Sequence, residues 1–155
     1  MPVIQTAGFT SKPTDLRAGG TGITPMYQVL DEILKNSDDK TEVSLIYANK
    51  TPADVLLKDT LDKLATQHSN FHVHYVVEKT GTLNALLWKG STGYVTDKIV
   101  EKHCPGPSDD NLVLVCGPPP MMKAISGEKA PDKSQGDLAG VLAKMGFTAD
   151  QVYKF

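Results

Sequence analysis

Three short apolar segments constrain the fold of this chain more than any other feature. Residues 43–48 (VSLIYA), 71–77 (FHVHYVV) and 112–116 (LVLVC) are rich in residue types that favour β-strands. Strands that are apolar along most of their length are typical of a sheet that is buried on both faces, as parallel sheets are. The three segments therefore predict the inner strands of a parallel sheet.

Helical patterns occupy the intervals between these strands. The first helix has an apolar face whose residues are three and four apart: Met26, Val29, Leu30, Ile33 and Leu34. A second helix is predicted to begin with Thr51 as its cap and Pro52 at its first position. The buried stripe of that helix comprises Val55, Leu56, Leu61 and Leu64. A third helix covers residues 94–103, and a fourth begins at the prolines after residue 116.

Strands that alternate with helices of these lengths predict an α/β fold. We expect a three-layer sandwich built around a five-stranded parallel sheet, with the strand order 3-2-1-4-5. Two regions fit this pattern poorly. Residues 1–17 should supply the first strand, but residues 13–17 (PTDLR) are polar for a central strand and begin with a proline. Residues 126–137 (SGEKAPDKSQGD) are polar and predict a surface loop.

Length and charge limit the classes of function. The 155 residues suit one domain, and a net charge of −2 gives no electrostatic reason to expect nucleic acid as a partner. No apolar run approaches the roughly 20 residues that cross a bilayer, and the first residues lack the pattern of a signal peptide. We therefore expect a cytoplasmic protein, or one on the cytoplasmic side of a membrane if a preceding N-terminal part anchors it.

The cysteine and histidine residues do not predict a metal site. Cys104 and Cys116 have no metal-binding spacing, and both are expected to be reduced thiols. His72 and His74 would face the same side of a strand, but neither has an acidic or cysteine residue near it in the sequence. The chain is accordingly expected to bind no metal.

A glycine-rich turn covers residues 18–25 (AGGTGITP). Glycine lets the backbone turn sharply and approach a ligand closely, since no Cβ stands in the way. Thr24 is predicted to cap the next helix, with Pro25 at its first position, and the free N–H groups there favour an anion such as a pyrophosphate. The pattern G-x-G-x-x-G is not matched, because Pro25 stands in place of the third glycine. A tight turn with no ligand is the alternative, and the composition alone does not separate the two.

A second motif covers residues 116–121 (CGPPPM). A cysteine that ends a buried strand is followed by a glycine and three prolines, which make a stiff, narrow turn into a helix. Ligands of open α/β sheets bind at the carboxyl ends of the strands, and both motifs are expected at that edge. Taken alone, Cys116 fits a buried structural thiol better than a functional one.

Together the two motifs resemble the nicotinamide-binding domain of the ferredoxin–NADP reductase superfamily. The likeness is greatest to its NADH-cytochrome b5 reductase and nitrate reductase branch, which residues 47–57 (YANKTPADVLL), 93–96 (GYVT) and 152–155 (VYKF) also fit. The resemblance covers about residues 16–155. It implies an NAD(P)H-binding domain over residues 18–155, preceded by the atypical segment of residues 1–17.

The resemblance also implies roles for individual residues. The glycine-rich turn would lie against the pyrophosphate and the flavin edge through Gly20, Thr21, Gly22, Thr24 and Pro25. Cys116 would be the catalytic residue that places the nicotinamide for hydride transfer. The turn that follows would bind the cofactor through Gly117, Pro118, Pro119 and Met121.

Three further cofactor-binding residues are implied, two of them with alternatives. Asn49 belongs to the strand-to-helix segment, and Asp54 would lie near the adenosine ribose, where a carboxylate favours NADH over NADPH. The alternative for Asp54 is a helix-cap acid that interacts with Thr51. Phe155 would lie near the nicotinamide or flavin ring, and the alternative is a core residue that ends the last strand.

The resemblance implies the NADH-binding half of a flavin-dependent oxidoreductase. Such an enzyme passes electrons from NADH through FAD to a haem protein or similar acceptor. The flavin-binding barrel that normally precedes this domain is absent from these residues, so we expect a fragment, a truncated product or a diverged module that needs a flavin-binding domain or subunit. The alternatives are a non-catalytic nucleotide-binding or interaction module and a remnant that binds nothing.

Overall fold

The computed structural model describes residues 2–4, 13–19, 22–81 and 85–155. Within these ranges the chain forms one sheet of seven strands. The strands are β1 (Pro2–Ile4), β2 (Pro13–Gly19), β3 (Glu42–Asn49), β4 (Phe71–Val77), β5 (Ser91–Thr92), β6 (Leu112–Val115) and β7 (Val152–Lys154). Each of the three predicted apolar segments forms a strand.

Most of the pairing in this sheet is parallel. Strand β2 pairs with β3 on one side and with β6 on the other. Strand β4 then extends the sheet beyond β3, β5 beyond β4, and β7 beyond β6. Strand β1 pairs antiparallel with β3 and β6. The sheet of the described residues is therefore mixed and has seven strands, where the sequence predicted five parallel ones.

Five α-helices cover the two faces of the sheet within the described residues. They are α1 (Ile23–Lys35), α2 (Lys58–Gln67), α3 (Asp97–His103), α4 (Pro119–Ile125) and α5 (Gly140–Lys144). Helices α1 and α2 share one apolar core with Leu45 and Tyr47 of β3. Helices α4 and α5 pack on the opposite face, against Val113 and Val115 of β6. Successive residues of a strand point to opposite faces of the sheet, so the same strand can contribute side chains to both cores.

The helix starts differ from the predicted ones after β3. Residues Pro52–Asp54 form only a single 3₁₀ turn, and α2 begins at Lys58. Val55 and Leu61 are buried as predicted, but Leu56 is 48% exposed. Leu56 is exposed because it lies in the break between the turn and the helix, where the helical periodicity does not apply.

The polar segment that fits a central strand poorly nevertheless forms one. Strand β2 covers residues 13–19 and lies between β3 and β6, with Asp15 opposite Val113 and Arg17 opposite Val115. Its proline is the first residue of the strand, where a missing N–H is tolerated.

Candidate functional site

The strands that precede the predicted site residues end at one edge of the sheet. Strands β2 and β6 are parallel neighbours, with Arg17 opposite Val115, so the glycine-rich turn and Cys116 both follow at the same edge. The end of β3 adds Asn49 on one side, and the end of β7 adds Phe155 on the other. The structure therefore brings the two motifs together. Gly20 and Thr21 lie outside the described residues.

Helix α1 begins at Ile23, with Gly22 as its N-cap residue. Thr24 and Pro25 are thus the second and third helical residues, and the prediction of Thr24 as the cap and Pro25 at the first position is wrong. Proline costs little there, because the first four N–H groups of a helix have no partner within the helix. The first turn contains no acidic residue, so the partial positive charge of this helix end is not offset within the helix.

Cys116 is a half-buried free thiol at the end of β6. Burial raises the pKa of this thiol above its ordinary value. The neutral form therefore predominates near neutral pH, and a neutral thiol is a poor nucleophile. Cys116 is therefore poorly suited to attack a substrate.

The turn after Cys116 is short and rigid. Pro118 has φ −66° and ψ 155° and is the N-cap residue of α4, and Pro119 is the first helical residue. The carbonyl of Pro118 accepts hydrogen bonds from the N–H groups of Met121 and Met122, at 2.9 and 3.1 Å. The prediction that a helix begins at these prolines is confirmed. Gly117 and Met121 are half-buried, while Pro118 and Pro119 are exposed.

Phe155 continues the pairing of β7 with β6. Its N–H donates to the carbonyl of Val115 at 2.9 Å, which places Phe155 level with Cys116. Phe155 is 42% exposed, and its ring meets the ring of Tyr153 edge to face, with centroids 5.1 Å apart. The alternative of a core residue is therefore wrong for Phe155, whose ring lies at the surface beside the end of β6.

Asp54 lies in the turn that follows β3. Its Oδ2 accepts hydrogen bonds from the N–H of Thr51 at 2.9 Å and from Thr51 Oγ1 at 2.7 Å. The interaction with Thr51 is confirmed, and the side chain is exposed, so a ribose contact stays a prediction.

Comparison with known proteins identifies the family. The family model described as "Oxidoreductase NAD-binding domain" matches residues 16–127. The chain belongs to this NAD-binding domain family. It is 51% identical to the NADH-cytochrome b5 reductase-like protein of Arabidopsis thaliana, over 89% of this chain and 41% of that protein. It is 47% identical to NADH-cytochrome b5 reductase 2 of Scheffersomyces stipitis, over 93% of this chain and 47% of that protein.

Solved structures agree with this assignment. The cytochrome b5 reductase domain of Ulva prolifera nitrate reductase superposes with a TM-score of 0.74 at 36% identity, over 89% of this chain and 47% of that one. The CS-b5R domains of human Ncb5or share the fold, with a TM-score of 0.66 at 24% identity, over 89% of this chain and 35% of that one. The chain spans less than half the length of these relatives.

The structure of this NAD-binding domain adds residues that the sequence interpretation missed. Tyr47 is buried below the end of β3, and burial raises the pKa of its phenol, against the opposing effect of hydrogen bonds with the Asn49 side chain and the Leu56 backbone. Tyr47 therefore ties the end of β3 to the segment that carries Asp54. The signal was available, because a tyrosine in a buried strand needs a polar partner for its hydroxyl.

Lys154 was missed as well. Only 1% of this lysine is exposed, although it lies in the last strand and carries a charge. Its Nζ donates to the carbonyls of Asp137 at 2.7 Å and Glu128 at 3.3 Å, in the loop predicted to be a simple surface loop.

The described ranges contain neither a group of metal-binding side chains nor a helix that could cross a membrane. There, no three His, Cys, Asp or Glu residues are grouped closely enough to hold a metal ion. None of the helices described has the length and apolar character needed to cross a bilayer. Glu42 Oε2 does lie 3.9 Å from His72 Nε2, an acidic neighbour that the sequence spacing did not reveal.

Proposed function

We propose that this chain is the NADH-binding part of a flavin-dependent oxidoreductase that passes electrons from NADH through FAD to a haem protein. The observation that carries the proposal is the placement of the glycine-rich turn and Cys116 on adjacent parallel strands, at the edge where α1 begins. Ligands of such sheets bind outside the carboxyl ends of the strands. The family match and the names of the relatives support the same reading.

The residues at this edge fit a dinucleotide. The N-terminus of α1 would hold the pyrophosphate, since it has a positive dipole end and a first turn without acidic residues. Cys116 would contact the nicotinamide as a neutral thiol, and Gly117 would allow the ring to approach the backbone. Pro118 and Pro119, the first two of the three prolines that follow, would keep this turn from shifting. When bound, NADH and FAD supply the redox chemistry, and the chain contributes position and electrostatics.

A flavin-binding domain is the partner that we propose for this edge. In the described residues, the exposed large hydrophobic side chains lie after the ends of β3, β4 and β5 or at the end of β7: Leu56, Leu57, Leu86, Leu87, Tyr94, Tyr153 and Phe155. Large apolar side chains that stay exposed are candidates for an interaction surface. Relatives that extend well beyond the matched residues have room for such a domain in the rest of their length.

We further propose that the nucleotide-binding unit is a five-stranded parallel arrangement in the order 3-2-1-4-5, to which β1 and β5 are additions. The parallel pairings of β4 with β3, β3 with β2, β2 with β6 and β6 with β7 support this order. The glycine-rich turn then follows the first strand, where the order of the strands reverses, and such switch points bind ligands.

Nucleotide binding by the 155-residue chain tests the proposal. Titration calorimetry should show NADH bound more tightly than NADPH, because the exposed Asp54 carboxylate would repel a 2′-phosphate. Asp54→Ser should narrow that preference, whereas Asp59→Ser, at an exposed acid in the first turn of α2, should not. Failure of the chain to bind either nucleotide would refute the proposal. A preference that survives in Asp54→Ser while the melting temperature falls would limit Asp54 to its interaction with Thr51.

A further inference from the structure

The last strand is held from its outer side by a side chain. Strand β7 has β6 on one side, and the N–H of Phe155 points to β6. In a strand, the N–H and C=O of one residue point to the same side, and those of the next residue point to the other side. The N–H and C=O of Lys154 therefore point away from β6. Gln135 meets both of them. The Lys154 N–H donates to Gln135 Oε1 at 2.6 Å, and Gln135 Nε2 donates to the Lys154 carbonyl at 3.1 Å. One side-chain amide thus takes the place of a neighbouring strand.

The loop that carries Gln135 is shaped around the Lys154 ammonium. The two carbonyls that accept from Lys154 Nζ belong to Glu128 and Asp137, on opposite arms of the loop. A Cβ on Gly127 would lie 2.6 Å from the Asp137 oxygen, and a Cβ on Gly136 would lie 2.7 Å from the Glu128 oxygen. Both glycines also have positive φ angles, at +79° and +63°. Glycine is thus required where the loop brings these carbonyls towards the lysine.

These contacts fix the backbone on either side of the terminal ring. Lys154 forms hydrogen bonds through its N–H, its C=O and its Nζ, and the next residue is Phe155. The ring of Phe155 lies level with Cys116 and rests edge to face on Tyr153, at the edge proposed to bind the nicotinamide. Without Gln135 and Lys154, the contacts left to Phe155 among the described residues are the hydrogen bond to Val115 and the Tyr153 ring.

We propose that Gln135 and Lys154 are positioning residues that hold Phe155 beside Cys116 as one apolar wall of the nicotinamide subsite. This inference rests on the proposed function and adds to it the loop of residues 126–139. We expect the loop to act on the nicotinamide half of the nucleotide, because it holds the last strand at Lys154, next to Phe155.

The test compares two ligands of the 155-residue chain by titration calorimetry. NADH carries the nicotinamide ring, and ADP-ribose keeps the adenosine and the pyrophosphate without it. Gln135→Ala should weaken NADH binding about two- to tenfold, the range expected for one aromatic contact, and leave ADP-ribose binding unchanged. Lys154→Met, which keeps the chain length without the ammonium, should show the same selective loss. Phe155→Ala should also show it, and Gln135→Ala should then add nothing in the Phe155→Ala background.

Gln151→Ala is the matched control. Gln151 also makes two hydrogen bonds to main-chain groups, with Thr148 at 2.9 Å and Ser108 at 2.8 Å, but it precedes β7 and lies away from the site. Its substitution should leave the ratio of the two affinities unchanged. A direct measure of position is hydrogen exchange at the Phe155 amide, which should become faster in Gln135→Ala and stay unchanged in Gln151→Ala.

The outcomes separate this inference from the proposed function. Binding of neither ligand by the wild-type chain overturns both. Normal binding by the wild-type chain, with a ratio of affinities that Gln135→Ala leaves unchanged, overturns only the positioning role. If Gln135→Ala does not fold, Gln135→Glu replaces it, since a carboxylate keeps the acceptor for the Lys154 N–H and removes the donor to its carbonyl. An unchanged ratio in folded Gln135→Glu also overturns the inference.

Discussion

Residues 126–139 and residues 85–90 are both surface connections, and they are held in opposite ways. The first segment is polar, yet a buried ammonium and a glutamine tie it to the last strand. The second contains Leu86 and Leu87, which are 97% and 80% exposed. One of its anchors is Trp88, whose Nε1 donates to the Ser91 carbonyl at 3.1 Å and whose ring packs near Tyr75. A loop is fixed by where its backbone groups find partners, and its polarity alone does not decide this.

The largest effect should appear at one of two glycines with a left-handed backbone, Gly136 inside the first segment and Gly81 ahead of the second. Gly136 has φ +63° and close neighbours, whereas Gly81 has φ +70° and, chain neighbours aside, no described residue within 4 Å of an added Cβ. Gly81→Ala should lower the free energy of unfolding by about 1 kcal/mol, the cost of the left-handed backbone alone. Gly136→Ala adds a collision with the Glu128 carbonyl, so we expect a loss of about 2–4 kcal/mol. Urea unfolding of both variants measures the difference between the two losses in free energy of unfolding.

Equal losses in the two variants would contradict this account. They would mean that the loop yields to the added methyl group and that its contact with Lys154 is loose. Hydrogen exchange at the Lys154 amide would then be fast already in the wild-type chain.

Features that depend on local pattern could be predicted from the sequence. The three apolar strands, the helix at the prolines after Cys116 and the shared edge of the two motifs all follow from residue type and spacing. The start of α1 could not be placed, because Gly22, with no side-chain hydrogen bond of its own, is the N-cap residue in place of Thr24. Composition predicts caps only where a side chain forms the cap.

Features that depend on distant partners could not be predicted. Strand β2 is polar, but its place between β3 and β6 is set by pairing along its whole length. The burial of Lys154 depends on carbonyls 17 and 26 residues away in the sequence, and a single lysine gives no sign of them. The exposure of Phe155 follows from its position at the edge of the sheet. A terminal aromatic residue by itself is equally compatible with the core.

Lowering the pH should destabilise the sheet near residues 85–90 and leave the contacts of residues 126–139 intact. His74 of β4 stacks on His103 of α3 with ring centroids 3.5 Å apart, and its Nε2 lies 2.8 Å from Ser91 Oγ. Burial lowers the pKa of His74 to about 4, with smaller contributions from His103 and Lys102. A folded pKa below the unfolded value of 6.5 stabilises the fold above pH 6.5, and this stabilisation is lost as the pH falls from 6.5 towards 4. The loss should be about 1–2 kcal/mol after allowance for solvent screening.

Denaturation between pH 7.5 and pH 4.5 tests this expectation. His74→Gln should lose less stability over that range than the wild-type chain, and His72→Gln, at an exposed position of the same strand, should behave as the wild type does. Hydrogen exchange should rise first in β4 and β5, while the Lys154 amide stays protected. A pH dependence that is identical in wild-type and His74→Gln chains would show that the stacked pair titrates normally.

The smallest effect on stability is expected at the two exposed leucines. Leu86→Ser and Leu87→Ser, singly or together, should change the free energy of unfolding by less than about 0.5 kcal/mol, because side chains that are nearly fully exposed lose little apolar contact on substitution. Trp88→Ala is the contrasting variant from the same segment, and it should cost clearly more, since it removes the ring that packs near Tyr75 and the donor to Ser91. Urea unfolding of these variants and of the wild-type chain gives the comparison. If the serine variants were as destabilised as Trp88→Ala, the leucines would be buried in solution and the apolar edge proposed for the flavin-binding partner would lose two of its members. If they were stable but bound a flavin-binding domain of the same family less tightly, the exposure of these leucines would be explained by that partner.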